Sequence, residues 1–540
     1  MKKSLVSVVL LLLACNVFFG QGAGPRKRLV YCDTELLVDG NVAKLEKLFA
    51  RAAKAGYNGV VLSDSKFGNL AAMPPRYFEN VGRVKKFAAA DGLEIIPMIF
   101  PMGYSGSILC HNPNLAEGLP VRDALFEARG GVMRQVADPP VEFKGADLKD
   151  FSGWREHDPL VKAVDGAAVM ADPQGRPCRM MQTITVHPFR QYHISVLVKT
   201  TDFTGIPRVM VHSAKNKELN YAGLGVKKTQ DWTLRNVVFN SLDNDKVDIY
   251  FGCWDDGKTG TLAWKDPKIE ETAFVNLVRR AGAPLDARTE DGHALEEGKD
   301  FDKIIDPKMG NVPWSGEYQV WHTPPVVRTK LADGARVRFS FYHALPMNDG
   351  QVMICPSEPE TAELLRDQAQ RVHAAWGAKG YFMAHDEIRV LNRDKSCTDR
   401  HMTPGEILAD NLRTCTGILR KVNPGGDIYV WSDMFDPKHN AHGSYFLVDG
   451  DYAGSWKGLD KDVIIAIWGY QEREEGLAWF AGLGNRVLIA GYYDKQPERI
   501  RDWLDSAKKC GAEVSGVMYT TWQDKYDDLE TYAGFVDGGR

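Results

Sequence analysis

The chain has 540 residues, 26% of them charged and 44% hydrophobic, which is ordinary for a globular protein and long enough for two or more domains. Its 67 basic and 71 acidic residues leave a formal net charge of −4 and are spread without long blocks. This balance excludes the electrostatic footprint of a nucleic-acid-binding protein and fits a neutral partner or substrate. The sequence leaves the oligomeric state open.

The N-terminus has the pattern of an export signal. Met1-Lys2-Lys3 is basic, and the apolar run at 5–14 that follows is too short to span a bilayer comfortably. The stretch Leu12 to Cys15 resembles a bacterial lipobox, in which Cys15 would carry a lipid anchor; the alternative is an ordinary signal peptide within 1–24. We therefore expect an exported protein that is periplasmic, secreted or held at the cell surface.

Nine cysteines are spread along the chain. None belongs to a CxxC motif or a Cys/His cluster, so the spacing predicts no structural zinc and no other metal site. Without Cys15 eight cysteines remain, an even number that permits disulfides. The sequence also carries no cofactor-binding fingerprint.

The segment 25–140 begins with alternating strands and helices. Strands are predicted at 28–33, 60–62 and 93–100, and amphipathic helices at 40–55 and 77–90. Such alternation is typical of parallel βα units, so this segment is predicted to form the first part of a barrel.

The alternation breaks at 141–279, where the pattern changes to short runs of period two. These runs, with Gly, Asn, Asp and Pro between them, predict an all-β sandwich or jelly roll inserted into the barrel. Its stretches 230–241, 249–252 and 264–270 resemble carbohydrate-binding modules of families 4 and 9. The following 280–350 is turn-rich and is predicted to be a β-rich extension that closes the insert.

Alternating units resume at 351–540, the predicted second part of the barrel. Helices are expected at 360–376, 404–422, 477–483 and 496–509, with strands at 381–384, 427–431, 463–468, 486–490 and 516–521. A run at 337–342 would make nine strands, and we assign it to the insert. The fold class is therefore α/β: a (β/α)8 TIM barrel interrupted by a jelly roll.

Carboxylates and aromatic residues recur at the carboxyl ends of the predicted barrel strands, where such barrels place their chemistry. Aromatic faces pack on sugar rings while carboxylates bind hydroxyls, so this composition predicts a carbohydrate ligand. For each residue, core packing or helix capping is the alternative role. The predicted ligand-binding residues are Asp33, His385, Trp431, Asp433, Trp468, Tyr493, Asp494, Trp522 and Asp524.

The most informative end lies at 380–389, where a buried apolar run stops at His385-Asp386-Glu387. Ionised carboxylates in a packed core must be paired or hydrated, so these groups are expected to open into a pocket. A surface turn is the alternative. Neighbouring strand residues point to opposite sides, so Asp386 and Glu387 can share a pocket only if the strand ends or kinks there.

The order of these motifs resembles family-20 glycoside hydrolases, the β-N-acetylhexosaminidases and their relatives. The resemblance rests on Asp386-Glu387, Trp431-Ser432-Asp433, Tyr493-Asp494 and Trp522-Gln523-Asp524. It implies that Glu387 is the general acid and that Asp386 orients the acetamido group of the substrate, which serves as nucleophile. The Met-Ala-His before the pair departs from the usual Gly-Gly of that family.

The expected function is therefore an exported glycoside hydrolase that removes a terminal sugar from glycans. One alternative is a retaining enzyme whose nucleophile is a carboxylate on another strand, with Asp433, Asp494 and Asp524 as candidates. Another is a non-catalytic surface protein that binds glycans. The sugar, the linkage and the exo or endo mode stay open.

Overall fold

The computed structural model describes residues 27–538, so the predicted signal at 1–24 and its Cys15 lie outside the described residues. No helix within 27–538 is long and apolar enough to cross a bilayer. The helices are α1 (Asp39–Lys54), α2 (Pro75–Ala90), α3 (Gly106–Leu109), α4 (Pro359–Trp376), α5 (Lys395–Thr398), α6 (Pro404–Val422), α7 (Arg473–Leu483), α8 (Arg499–Cys510) and α9 (Leu529–Val536).

The strands fall into a barrel set and an inserted set. In chain order they are β1 (Lys27–Asp33), β2 (Gly59–Ser63), β3 (Glu94–Ile99), β4 (Leu119–Arg129), β5 (Val132–Gln135), β6 (Glu156–His157), β7 (Val161–Val164), β8 (Ala167–Met170), β9 (Cys178–Thr185), β10 (Gln191–Thr201), β11 (Pro207–Ser213), β12 (Glu218–Gly223), β13 (Gln230–Asn240), β14 (Lys246–Cys253), β15 (Thr261–Thr272), β16 (Leu277–Val278), β17 (Asp286–Thr289), β18 (Val327–Arg328), β19 (Arg336–His343), β20 (Gly380–Met383), β21 (Asp427–Trp431), β22 (Ile464–Ile467), β23 (Val487–Ile489) and β24 (Val514–Tyr519).

Eight parallel strands close into a barrel in the order β1-β2-β3-β20-β21-β22-β23-β24. The long helices lie outside it, and their contacts link α1 to α2, α2 to α4, α4 to α6, α7 to α8, α8 to α9 and α9 back to α1. The predicted (β/α)8 barrel is therefore confirmed, and its strands and major helices lie where the periodicity placed them.

The barrel interior is a packed apolar core rather than a channel. Its members share inward-facing positions and are almost fully buried: Leu29, Tyr31, Val61, Ile96, Phe382, Tyr429, Trp431, Ile464, Ala466, Leu488, Ala490 and Met518. Because this core fills the centre, open space for a ligand is confined to the mouth at the carboxyl ends of the strands.

Local signals position β20, the strand that leads to the carboxylate pair. Helix α4 ends at Gly377, whose left-handed φ of 60° suits glycine. Helix α6 begins with a capping box in which Thr403 and Glu406 bind each other's backbone N–H groups, and Pro404 occupies the first turn. The short apolar strand between these helices is thereby held in the barrel wall.

The inserted set begins with a sandwich of two antiparallel five-stranded sheets. One sheet has the order β13-β10-β15-β8-β7 and the other β12-β11-β14-β9-β6. Trp264 of the first sheet packs edge-on against Phe251 of the second, with ring centroids 5.7 Å apart. This arrangement is the antiparallel sandwich that the period-two runs predict for 141–279.

A further sheet of six strands joins the sandwich to the barrel. It has the order β16-β19-β4-β5-β18, and β17 also pairs with β19. The run at 337–342 lies in β19, as its assignment to the insert predicts. The predicted boundary at 140 is wrong, because β4 and β5 pair with β19 and β18 rather than with barrel strands.

Candidate active site

Asp386 and Glu387 follow β20 at the point where the strand leaves the barrel wall. The backbone N–H of Ala384 still donates to the carbonyl of Ile99 at 2.9 Å, and Glu387 then takes a left-handed φ of 49°. The chain therefore turns between the two carboxylates. This turn meets the condition under which neighbouring residues can face one pocket.

A close approach of another loop fixes this turn. A Cβ atom on Gly103, in the loop after β3, would lie 1.9 Å from the carbonyl oxygen of Asp386. The next residue, Tyr104, donates its hydroxyl hydrogen to Glu387 Oε2. Glycine at 103 is thus required for the loop after β3 to contact the carboxylate pair.

The Glu387 side chain is held from two sides and is 24% exposed. Arg389 Nη2 lies 2.8 Å from Glu387 Oε1, and Tyr104 binds the other oxygen. Burial first, and then the Glu387 carboxylate, raises the pKa of Tyr104, so its phenol remains a donor. Gln351 Nε2 also donates to the Glu387 carbonyl at 2.8 Å.

Asp386 is the member of the pair whose titration is strongly altered. Burial, followed by the negative charges of Asp433 and Glu387, raises its pKa to about 8, while Arg389 acts in the opposite direction. Its carboxyl group therefore keeps a proton at neutral pH. A carboxylic acid that is protonated near neutrality is what glycosidic bond cleavage requires.

Asp433, which follows β21, is fully buried next to the Asp386-Glu387 pair. Its Oδ2 accepts hydrogen bonds of 2.9 Å from the backbone N–H of Glu387 and from Asn440 Nδ2, and its Oδ1 accepts one of 3.4 Å from Trp468 Nε1. These donors occupy both oxygens, which suits a positioning residue. The indole of Trp468 in turn packs on the ring of His439 at 4.4 Å.

An aromatic surface lies across the barrel mouth. Trp522 is 49% exposed, and its ring lies 5.4 Å from that of Tyr31 and 5.7 Å from that of Trp431. Trp431 itself is buried over Phe382, 4.7 Å away. Trp522 therefore offers the face on which a sugar ring can stack, and Trp431 forms the floor beneath it.

Asp33 and Asp524 lie together at the rim, where the structure places both as exposed residues. Asp33 is an exposed residue, but neighbouring protein atoms partly desolvate its carboxyl group. This burial first, and then the charges of Asp524 and Glu35, raises the pKa of Asp33.

Two predicted ligand-binding residues lie in other positions. His385 is fully buried and its Nε2 pairs with Asn411 Oδ1 of α6 at 3.0 Å, so it faces the helix layer. Burial lowers its pKa to about 4, which keeps the ring neutral. Tyr493 packs between Tyr519 and Tyr532 on the outside of the barrel. Neither side chain has the exposed surface that a sugar contact requires.

Tyr492 takes the place at the mouth that the sequence assigned to its neighbour. Its hydroxyl accepts a 3.0 Å hydrogen bond from Gln523 Nε2, beside Trp522. Burial, and then the carboxylate of Asp494, raises the pKa of Tyr492 to about 12. Asp494 is itself buried beside it.

Three residues of the site were not predicted from the sequence, namely Tyr104, Arg389 and Tyr492. Arg389 follows the carboxylate pair by two positions, which is the one local signal for it. Within residues 27–538, four side chains of metal-ligand type lie close together elsewhere in the fold, and Tyr104, Arg389 and Tyr492 are not among them.

No protein-family model matches the sequence, and no curated protein matches it. Among solved structures, a glycoside hydrolase family 20 β-N-acetylglucosaminidase is similar at 9% identity, over 94% of this chain and 69% of that chain, with a TM-score of 0.38. Streptomyces plicatus N-acetyl-β-hexosaminidase is similar at 11% identity, over 94% of this chain and 63% of that one, with a TM-score of 0.37. The family that the motif order resembles is thus among the similar structures.

Two further solved structures are similar to this chain. A rhamnosidase from Novosphingobium sp. PP1Y is 12% identical over 95% of this chain and 58% of that one, with a TM-score of 0.30. A structure described as a family-4 carbohydrate-binding module (CBM4) is 18% identical over 24% of this chain and 85% of that one, with a TM-score of 0.17. The chain thus spans less than two thirds of the rhamnosidase and the Streptomyces enzyme. At these identities and TM-scores, function has to be inferred from the site itself.

Proposed function

We propose that the protein is a glycoside hydrolase whose acid chemistry is performed by Asp386 and Glu387. The observation that carries the proposal is their joint position at the barrel mouth. One carboxyl group is protonated at neutral pH, and its neighbour accepts a hydrogen bond from Tyr104 and forms an ion pair with Arg389. The exposed face of Trp522 lies across the same mouth and suits a neutral sugar.

In the free protein the shared proton resides on Asp386. A substrate with an acetamido group would donate its N–H to Asp386, which favours the ionised form of that carboxyl. The proton then passes to Glu387, which delivers it to the glycosidic oxygen, while Asp386 orients the acetamido group for attack on the anomeric carbon. This distribution agrees with the roles that the family resemblance implies.

The raised pKa of Asp386 favours a second assignment of roles, because Asp386 already carries the proton and could act as the acid itself. The nucleophile would then be a carboxylate on another strand. Inhibition by a thiazoline supports the acetamido mechanism, whereas a covalent adduct trapped with a fluorinated sugar supports the second mechanism. A wild type that is insensitive to thiazolines would contradict the first.

The hydrolase proposal is tested with a panel of aryl glycosides. We expect the wild type to cleave at least one of them, and Asp386→Asn to reduce kcat/KM by about 100-fold or more. Glu363→Gln, at an exposed position on α4, is the matched control and should retain full activity. Retention of the protein on a glycan affinity gel without cleavage of any substrate would instead indicate a glycan-binding protein.

We further propose that the protein is exported. The proposal is supported by the basic start and the short apolar run of residues 1–14. Cell fractionation followed by mass spectrometry of the mature N-terminus tests it and shows whether Cys15 is lipidated. Recovery of the uncleaved chain in the cytosol would overturn it.

A further inference from the structure

Four side chains of metal-ligand type meet in the protein interior, away from the barrel-mouth carboxylates. They are Glu117 before β4, Cys355 before α4, Asp394 at the N-cap of α5 and Cys397 within α5. All four are buried, and their ligand atoms lie within 4.8 Å of one another. They come from three distant stretches, so no CxxC or Cys/His spacing marks them in the sequence.

Three of the six separations between ligand atoms are close to the edges of a tetrahedron around a small cation, and the other three are within 4.8 Å. The two sulfurs, Sγ of Cys355 and Cys397, lie 3.5 Å apart. Cys355 Sγ lies 3.6 Å from Asp394 Oδ1, and Cys397 Sγ lies 3.4 Å from Glu117 Oε2. Zinc–sulfur bonds of about 2.3 Å and zinc–oxygen bonds of about 2.0 Å give a sulfur–sulfur edge of about 3.8 Å and sulfur–oxygen edges of about 3.5 Å.

Each carboxylate directs one oxygen at the sulfurs, and its other oxygen accepts hydrogen bonds from protein donors. Asp394 Oδ1, the oxygen nearest the sulfurs, also accepts the N-cap hydrogen bond from the backbone N–H of Cys397 at 3.3 Å. Glu117 Oε1 accepts the backbone N–H of Arg393 at 2.7 Å, and Asp394 Oδ2 accepts that of Gly118 at 3.1 Å. The guanidinium of Arg280 also donates to Asp394 Oδ2. Outer hydrogen bonds of this kind are what orients the carboxylate ligands of a metal ion.

A bound cation would also balance the charge of the cluster. As metal ligands the two carboxylates and two thiolates would all be ionised, and Arg280, which also pairs with Glu358, supplies a nearby positive charge. Buried ionised groups are stable when paired or bound to a metal ion. We propose that Glu117, Cys355, Asp394 and Cys397 form a tetrahedral structural site for a divalent metal ion, with Zn²⁺ as its occupant.

The position of the site explains what such an ion would do. It would tie the segment before the first strand of the insert to the chain that follows the Asp386-Glu387 turn. Asp394 and Cys397 lie seven and ten residues beyond Glu387. The ion would therefore fix the entry of the insert against the loop that carries the proposed catalytic pair.

The test is metal analysis of the full chain purified without chelators. We expect one zinc ion per chain, and replacement by Co²⁺ should give an intense near-ultraviolet absorption from thiolate-to-cobalt charge transfer. Cys397→Ser should lose the metal, and Glu117→Gln should bind it about 10-fold or more weakly. Cys415→Ser, which removes a buried cysteine of α6 outside the cluster, is the control and should retain one equivalent.

Loss of folding in a variant does not affect the measurement on the wild type. Alkylation of the denatured wild-type protein, followed by mass spectrometry, reports the state of Cys355 and Cys397. Both thiols should be free once zinc is removed. Wild type that stays metal-free after incubation with zinc, or that contains a Cys355–Cys397 disulfide, would overturn the proposal. These readouts do not depend on glycosidase activity.

Discussion

At the residue scale, the site depends on how a few charged side chains share one proton. The carboxylate oxygens of Asp433 accept hydrogen bonds from three donors, and its negative charge lies close to Asp386. Asp386 responds by keeping its proton to a pH of about 8, while Glu387 faces Tyr104 and Arg389. The reactivity of the pair is therefore set by its neighbours as much as by its own chemistry.

A pH dependence follows from the raised pKa of Asp386. Above that pKa the pair loses its proton, so kcat/KM of the wild type should fall as the pH rises through about 8. Asp433→Asn keeps an acceptor for the Glu387 N–H but removes a charge that raises the pKa of Asp386. The alkaline limb of this variant should shift to lower pH. A limb that is absent, or that Asp433→Asn leaves unmoved, would contradict the assignment.

The same proton affects stability. The folded-state pKa of Asp386 lies above its ordinary value of 3.8, so the folded protein binds more protons than the unfolded chain between those two values. Stability should therefore decline as the pH rises from about 4 to 8. Asp386→Asn should weaken this decline, which thermal unfolding at a series of pH values would show. An equally steep decline in the variant would contradict the raised pKa.

Which residues of the site could be predicted follows from strand geometry. Asp386, Glu387, Asp433 and Trp522 were found because each follows a recognisable strand. Tyr493 was preferred to Tyr492 because adjacent strand residues face opposite sides and the last residue of β23 cannot be read from sequence. His385 faces Asn411 for the same reason. Tyr104 follows the predicted strand at 93–100, but its hydrogen bond to Glu387 could be seen only in the fold.

At the scale of elements, the turn after β20 depends on the loop after β3. The Ala384 carbonyl accepts the backbone N–H of Met102 at 2.9 Å, which continues the pairing beyond the strand ends. Gly103 then passes against the Asp386 carbonyl. The glycine, the tyrosine after it and the carboxylate pair thus form one structural unit.

Gly103→Ala tests this unit. Its Cβ would overlap the Asp386 carbonyl at 1.9 Å, so the loop must move, and we expect loss of activity and a lower Tm. Gly82→Ala is the matched control, because Gly82 lies in α2 with nothing within 4 Å of its would-be Cβ. That change should keep activity and stabilise α2 by about 0.5–1 kcal/mol. Full activity in Gly103→Ala would refute the close approach.

The predicted elements were most accurate where local signals are strong. Helix α6, with its Pro at the start and capping box, was predicted at its observed bounds of 404–422. The strands β4 and β5 were missed although they form a local hairpin whose turn is Gly130-Gly131. What the sequence could not show is that β4 also pairs with β19, about 200 residues further along the chain, rather than with a barrel strand.

At the scale of the whole molecule, a barrel is interrupted by two further β units whose junction contains a buried ion pair. Arg190 Nε lies 3.1 Å from Glu271 Oε1, and both side chains are 1% exposed. Arg190 Nη2 also donates to the carbonyl of Asp123 in β4 at 2.7 Å. The pair therefore links the sandwich to the six-stranded sheet.

Removal of one partner should be costly. Arg190→Ala leaves Glu271 buried without its cation and should lower the free energy of unfolding by about 3–5 kcal/mol in chemical denaturation. The double change Arg190→Met with Glu271→Leu removes both charges and should lose less than the single one. Arg129→Ala, in an exposed pair with Glu127, is the control and should leave the free energy of unfolding nearly unchanged. A double variant that loses as much stability as Arg190→Ala, or more, would contradict the stabilising interaction between Arg190 and Glu271.

The central claim is that the Asp386-Glu387 pair supplies the proton for glycosidic cleavage, and its most direct test is the dependence on leaving group. For the sugar that the wild type cleaves, Glu387→Gln should reduce kcat/KM by about 100-fold or more on the phenyl glycoside. On the 2,4-dinitrophenyl glycoside, whose leaving group needs no proton, the loss should shrink to about 10-fold or less. Unchanged turnover of the phenyl glycoside by Glu387→Gln, or equal losses on both substrates, would contradict the role of Glu387 as the acid.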